Sequence, residues 1–250
     1  MSLAPSVTSI LCALGAKPQL AGVTKWCAEV APVEGLPKLG DCWHMESVDE
    51  IVRLRPTLVI GSVPFKTETV ENLLGRSFAF LALNPRSLAD IKRDIRLLAG
   101  VTGRILAGEK LVARMRRAFQ TIRASSRHTA RRIRVYCEAW PNPRISSPPW
   151  VAELVEMCGG ETVVPAGQRV TEAEVATASP DVIILAWTAT GAKADPRKAY
   201  EVAAWRNIPA IRNRQVHVVR DELLNTPGPP LIEGARALQC VLRAASREKS

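Results

Sequence analysis

The stretch WRNIPAIRNRQVHVVRDELLNTPGPPLIEGARAL, residues 205–238, decides how this chain is read. It predicts a short strand at 217–219, a turn on Thr226-Pro227-Gly228-Pro229-Pro230, and then a helix. Upstream, Asp181-Val-Ile-Ile-Leu-Ala is an unbroken apolar run, the pattern of a parallel strand covered on both faces. Ser179-Pro-Asp-Val-Ile-Ile also repeats Arg55-Pro-Thr-Leu-Val-Ile. In both, a helix stops at a proline and a buried strand follows.

The same alternation fills the N-terminal half. Ser6 or Thr8 is expected to cap a helix through Ile10, Leu11 and Leu14 that stops at Gly15, with a short strand near 20–23. Ser47 and Glu50 have capping-box spacing ahead of a helix through Ile51, Val52 and Leu54, which Pro56 ends. A strand at 57–61, a helix at 68–74 and a strand at 78–83 follow. From Ser87, a plausible N-cap with Asp90 three residues on, apolar residues recur at helical spacing to about Ala124. Gly100, Gly103 and Gly108 weaken this long helix and leave room for a break near Val101. Beyond it come a strand at 133–137, a helix at 150–158 closed by Gly159-Gly160, and a helix at 171–178. The expected organisation is α/β: an N-terminal lobe over 1–86, a connecting long helix over 87–124, and a C-terminal lobe over 125–250.

Composition excludes several classes. The 250 residues are 47% hydrophobic and 23% charged, ordinary globular values that let a core form without staples. No apolar window is long enough for a membrane span. The net charge is +10, and Arg114, Arg116, Arg117, Arg123, Arg127, Arg131, Arg132 and Arg134 gather on one helix and its exit. No zinc-finger spacing, RNP aromatic pattern or Gly-x-x-Gly clamp accompanies them, so a solvated basic face is the preferred reading and no nucleic-acid partner is expected. Six scattered cysteines without a C-x-x-C fit either buried thiols or a single disulfide. Met1 runs directly into folded-looking sequence, so no signal peptide is read, and the first strand is expected only as a residue or two before Ser2-Leu3.

The chain offers no nucleophile elbow, phosphate loop, dinucleotide fingerprint or zinc-protease motif, and an enzyme is not expected. Of three histidines, only His44, in a predicted loop beside Trp43, is a candidate ligand. The tryptophans are more telling: six stand against four Phe and two Tyr. Trp26, Trp43, Trp140 and Trp187 fall at or near predicted strand-to-helix connections, the end of an open α/β sheet where ligands bind. They would offer apolar and stacking surface to a large flat ligand. Trp150 and Trp205 read as structural.

Those residues, with Ser2-Leu-Ala-Pro-Ser-Val-Thr, Asp49-Glu-Ile-Val-Arg-Leu-Arg-Pro, Leu154-Val-Glu-Met-Cys-Gly-Gly and Pro227-Gly-Pro in that order, resemble the class III periplasmic binding proteins. These serve importers of iron siderophores, haem and vitamin B12. The resemblance covers nearly the whole chain and looks closest to the cobalamin-binding members. It implies two Rossmann-like α/β lobes joined by one long backbone helix, with a ligand cleft between them. It implies cobalamin or a related corrinoid as ligand, held by Trp26, Trp43, His44, Trp140, Trp187 and Asn225, with no intrinsic cofactor and no catalytic residue. A ferric siderophore or haem is the alternative cargo. An intracellular interaction protein using its basic helix exit is the alternative of another class. The resemblance also implies a monomer that docks on an ABC importer permease through acids. Asp49 matches the first docking position, while Ala173, flanked by Glu172 and Glu174, stands at the second. Cys158 and Cys240 fall close to a cysteine pair of some cobalamin binders, which implies a disulfide. The implied location is the periplasm or cell envelope, with the cytoplasm left open by the lack of a recognisable signal peptide.

Overall fold

The computed structural model describes residues 1–43, 45, 48–126, 132–191 and 193–247. Ser47 of the expected capping box, His44, His128, Arg127 and Arg131 lie outside them. The described chain forms two compact α/β units, one comprising Met1–Arg114 with Pro227–Pro229, the other Met115–Thr226 with Pro230–Ser250.

In the first unit, α1 (Pro5–Ala13) precedes a short parallel pair, β1 (Val23–Thr24) and β2 (Lys38–Leu39). Then come α2 (Asp49–Arg53), β3 (Leu58–Ser62), α3 (Thr67–Leu74) and β4 (Ala79–Leu83), with β3 and β4 parallel. The first residues add a fragment of strand beside β3: Leu3 N donates to Ile60 O at 2.8 Å and Ile60 N to Met1 O at 3.0 Å. Helix α1 starts earlier than the sequence suggests. Its N-cap is Ala4, Pro5 opens it, and Ser6 and Thr8 are buried within it rather than capping it. Proline suits a first helical turn, where its missing N–H is no loss. Thr8 Oγ1 instead bonds Ser2 Oγ at 2.7 Å and Cys27 Sγ at 3.0 Å.

The stretch 87–124 is two helices, not one. α4 (Leu88–Val101) is capped by Ser87, whose hydroxyl accepts from Asp90 N as expected. α5 (Ile105–Ser125) follows a turn at 102–104 in which Gly103 has φ +66°. Glycine enters that left-handed region without the Cβ penalty, so the weak point in the sequence is where the helix breaks. α5 begins in one unit and ends in the other.

The second unit holds β5 (Ile133–Pro141), β6 (Arg144–Ser146), α6 (Pro149–Met157), β7 (Gly160–Thr162), α7 (Glu172–Ala178), β8 (Val182–Leu185), α8 (Arg197–Tyr200), α9 (Pro209–Arg212), β9 (Val216–Val218), α10 (Asp221–Leu224) and α11 (Leu231–Arg247). Its sheet has the order β6-β5-β8-β9, with β7 also on β5; only the β5–β6 pair is antiparallel. The repeated helix–proline–strand junction is real down to its backbone. Arg55 and Ser179, each just before the proline, both adopt φ +46°. Thr171 and Glu174 form a full capping box on α7. β6, β7 and α10 were not expected from the sequence.

All six cysteines are free thiols, so the expected Cys158–Cys240 disulfide is not formed. Cys158 is buried and its Sγ donates to Ala235 O at 3.3 Å, whereas Cys240 is exposed on α11. Burial pushes the Cys42, Cys137 and Cys158 thiols up to about 12. Alkylation of the native protein near pH 8 should label Cys240 and spare those three, as read by peptide mass spectrometry, with the intact mass unchanged by reductant. Gly234 supplies a second test. A Cβ there would lie 2.1 Å from Leu223 O, so Gly234→Ala should push α11 off α10 and lower stability by about 1–3 kcal/mol in urea unfolding.

Candidate functional site

In the second unit the strand ends converge on a buried carboxylate. β5 continues past 137, where its apolar pattern stops, and folds back through Asn142-Pro143 into β6. The register slips between Glu138 and Trp140, a bulge of the kind that re-aims side chains at sheet rims. Glu138 has no solvent exposure. Its Oε2 accepts from Tyr136 Oη at 2.7 Å and Arg144 Nη1 at 2.9 Å, and its Oε1 accepts from Trp187 Nε1 at 2.8 Å. Burial, then the adjacent Glu138 charge, drives the Tyr136 hydroxyl far above the tyrosine range, so it stays a donor. Arg144 lies over the Trp205 ring, 4.5 Å from its centroid, and its Nη2 donates to Glu172 Oε1 at 3.1 Å.

A crevice of about 210 Å³ opens beside this network, lined among others by Glu138, Asn142, Arg144, Trp187, Lys198 and Trp205. Lys198 Nζ stands 5.7 Å from the Trp187 ring centroid. Both indoles are buried and carry Arg144 and Lys198 on their faces, so the crevice reaches little of either ring. What it offers a ligand is chiefly the two cations, which suit acidic groups. Among the described residues no cluster of three or more His, Cys, Asp or Glu could hold a metal ion.

The first unit carries its own aromatic group. Asp41 ties a 3-10 turn at Lys25–Glu29, where a loop was expected, to the loop at Trp43: Trp26 Nε1 donates to its Oδ2 at 3.0 Å and Trp43 N to its Oδ1 at 2.8 Å. Lys25 Nζ sits 4.8 Å from the Trp26 ring centroid. Trp43 is 49% exposed and Trp26 half-buried. The carboxylate that joins them was not singled out in the sequence, although it lies two residues before Trp43 in a turn-like Gly-Asp-Cys-Trp.

Other expected site residues fall differently. Trp140 lies within β5 rather than in a loop after it; its ring is exposed and Nε1 donates to Asn142 O at 2.8 Å. Trp187 is only 5% exposed, packed with Tyr136 and Trp205 in the core, so it lines the crevice rather than offering an open stacking face. Asn225 Nδ2 donates to Ala186 O at 2.7 Å, which fastens the chain after α10 to the end of β8, while its buried Oδ1 accepts from no described group. The candidate docking acids are all engaged within the chain. Asp49 pairs with Arg76 at 3.0 Å, Glu172 with Arg144, and Glu174 with Thr171 N, a bond that holds its carboxyl below the usual range.

The Glu138 network missed at the sequence level has an energetic signature. Arg144→Ala leaves a buried carboxylate without its cation and should destabilise the protein by about 3–5 kcal/mol. Glu172→Ala removes only the half-exposed end of the same chain of bonds and should cost at most about 1 kcal/mol. Paired urea titrations of the two variants check this ordering.

The geometry can be set against known proteins. The chain is 25% identical over 252 residues to an uncharacterised ABC transporter substrate-binding lipoprotein, YvrC, of Bacillus subtilis (strain 168), covering 95% of this chain and 77% of that protein. Its fold matches the periplasmic haem-binding protein RhuT from Roseiflexus sp. RS-1 in apo form, with TM-score 0.82, 23% identity and coverage of 98% and 97% of the two chains. It also matches the periplasmic vitamin B12 binding protein BtuF of Vibrio cholerae, with TM-score 0.78, 21% identity and coverage of 98% and 96%. Residues 1–223 match the model of the periplasmic binding protein family, and the chain belongs to that family.

Proposed function

We propose that this chain is the substrate-binding component of an ABC importer, at the cell envelope, and that its cargo is cobalamin or a related corrinoid. Family membership over residues 1–223 and the likeness to a substrate-binding lipoprotein support the transport role and the envelope location. The observation that carries the cargo reading is the Asp41-anchored pair Trp26 and Trp43, with the Trp43 ring half exposed on a pinned loop. A loop already fixed at the Trp43 backbone need not be ordered when a flat ligand covers the ring. Asn225, fastened through Nδ2 to Ala186 O, supplies a polar contact to ligand amides, a group corrin side chains carry in number. Trp140 supplies further apolar surface, and Trp187 acts through its edge at the crevice. Binding is reversible burial without a covalent step. Asp49, with Glu172 or Glu174, faces the permease, exchanging its internal partner for a permease cation.

A ferric chelate or haem is the second reading. Arg144 and Lys198 at the crevice favour it, because both would meet acidic groups on the cargo. Titration of the purified chain with cyanocobalamin, followed by tryptophan fluorescence and calorimetry, separates the two. Saturable 1:1 binding that is largely insensitive to salt is expected for the corrinoid. Trp43→Ala should weaken it by about 1–3 kcal/mol. No binding of cyanocobalamin together with saturable binding of haem or a ferric siderophore gives the second reading. Unchanged affinity in Trp43→Ala removes that residue from the site.

A further inference from the structure

Helices α4 and α5 form a hairpin whose tip is unlike the rest of the surface. They approach closely at Ala99 and Gly108: a Cβ added to Gly108 would lie 2.5 Å from the Ala99 Cβ. Arg96 Nε clasps Glu109 Oε1 across the pair at 2.6 Å. Each helix buries one stripe, Ile91, Ile95 and Leu98 on α4, Leu111 and Val112 on α5. At the turn the pattern inverts. Leu97, Val101, Ile105 and Leu106 are all exposed, Leu106 to 78% and Ile105 to 65%. Of the nine exposed large hydrophobic residues among those described, four sit within these ten positions, which makes a patch rather than scatter.

The charge around the tip is one-sided. Arg104 occupies the turn, and Lys110 stands one helical turn behind Leu106 on the outward face; both are exposed. The acids of the hairpin are already taken: Asp90 and Asp94 by Arg93, Glu109 by Arg96. Arg104, Lys110 and Arg114 have no carboxylate partner among the described residues. An aliphatic end ringed by unneutralised cations matches a surface that is apolar inside and anionic at its face. A second copy of the chain fits poorly, since both copies carry +10.

We propose that the tip of the α4–α5 hairpin docks on an anionic lipid membrane. Leu97, Val101, Ile105 and Leu106 enter the boundary between headgroups and acyl chains, and Arg104, Lys110 and Arg114 meet lipid phosphates. This holds whichever cargo the chain carries.

Co-sedimentation of the full chain with vesicles tests it, using phosphatidylcholine alone and phosphatidylcholine with added phosphatidylglycerol. The expected result is pelleting with the phosphatidylglycerol vesicles only. The Ile105→Asn/Leu106→Asn variant keeps the net charge and should lower that partitioning about tenfold or more. Arg123→Gln, away from the tip, should change it little. Binding by the asparagine variant equal to wild type would mean undirected attraction of a basic protein, and the proposal fails. Absence of pelleting overturns it too, as does a wild-type dimer in sedimentation velocity that the asparagine pair abolishes without any vesicle binding. If the asparagine pair lowers the thermal midpoint, Arg104→Gln/Lys110→Gln tests the same surface: lost phosphatidylglycerol binding supports the proposal and retained binding sinks it.

Discussion

The C-terminal unit is arranged around a charge that water cannot reach. Glu138 sits on β5, the strand that pairs with β6, β7 and β8, and its carboxylate is stable there only because three donors converge on it. Each donor comes from a different position relative to the sheet: Tyr136 two residues back on the same strand, Arg144 from the returning β6, and Trp187 from just beyond β8. Moving any of these elements would leave a buried charge short of a partner. Beyond the backbone ladders, a single side chain therefore links the β5–β6 hairpin, the end of β8 and, through Arg144 and Glu172, the start of α7. The aromatic crevice is a by-product of that arrangement, since the rings that wall it are those that bond or stack on the same network.

Much of the fold was legible in the chain because its strands are apolar runs bounded by prolines. The parallel between 55–60 and 179–184 extends to the left-handed residue before each proline, which costs a non-glycine residue energy. What was not legible has physical causes that differ from element to element. β6 and β7 are three residues each, too short to show a period, and their place is set by pairing with β5 rather than by their own composition. The extension of β5 was hidden because Glu138, a charged residue, interrupts the apolar run, and charge normally marks a strand's end. The long connecting segment read as one helix, with room for a break near Val101, because apolar residues recur near helical spacing across the glycines; the break at 102–104 goes with the left-handed backbone at Gly103 and with apolar residues on the solvent side of the turn.

The candidate site was legible in its residue types and less so in their roles. The excess of tryptophan in a chain with few aromatics pointed to stacking surface. In the structure, indole after indole donates its N–H to a specific acceptor: Trp26 to Asp41, Trp140 to Asn142 O, Trp150 to Leu224 O, Trp187 to Glu138 and Trp205 to Glu172 O. Phenylalanine is smaller and could not make those bonds, which accounts for the skew without any ligand. Tryptophan is used first as a tether between loops and strand ends, and only secondarily as surface.

That distinction decides which rings can act on a partner. Trp150, Trp187 and Trp205 give up nearly all of their area to the core, so a ligand can reach at most an edge. Trp26, Trp43 and Trp140 keep part of their rings in solvent while a hydrogen bond fixes the indole or the backbone behind it. Where the indole itself makes the bond, as in Trp26 and Trp140, the apolar area is already ordered, so covering it releases water without freezing a mobile side chain; at Trp43 the bond orders the loop instead. The rigid exposed rings, rather than all the tryptophans at strand ends, are where recognition of a large flat cargo is energetically cheapest.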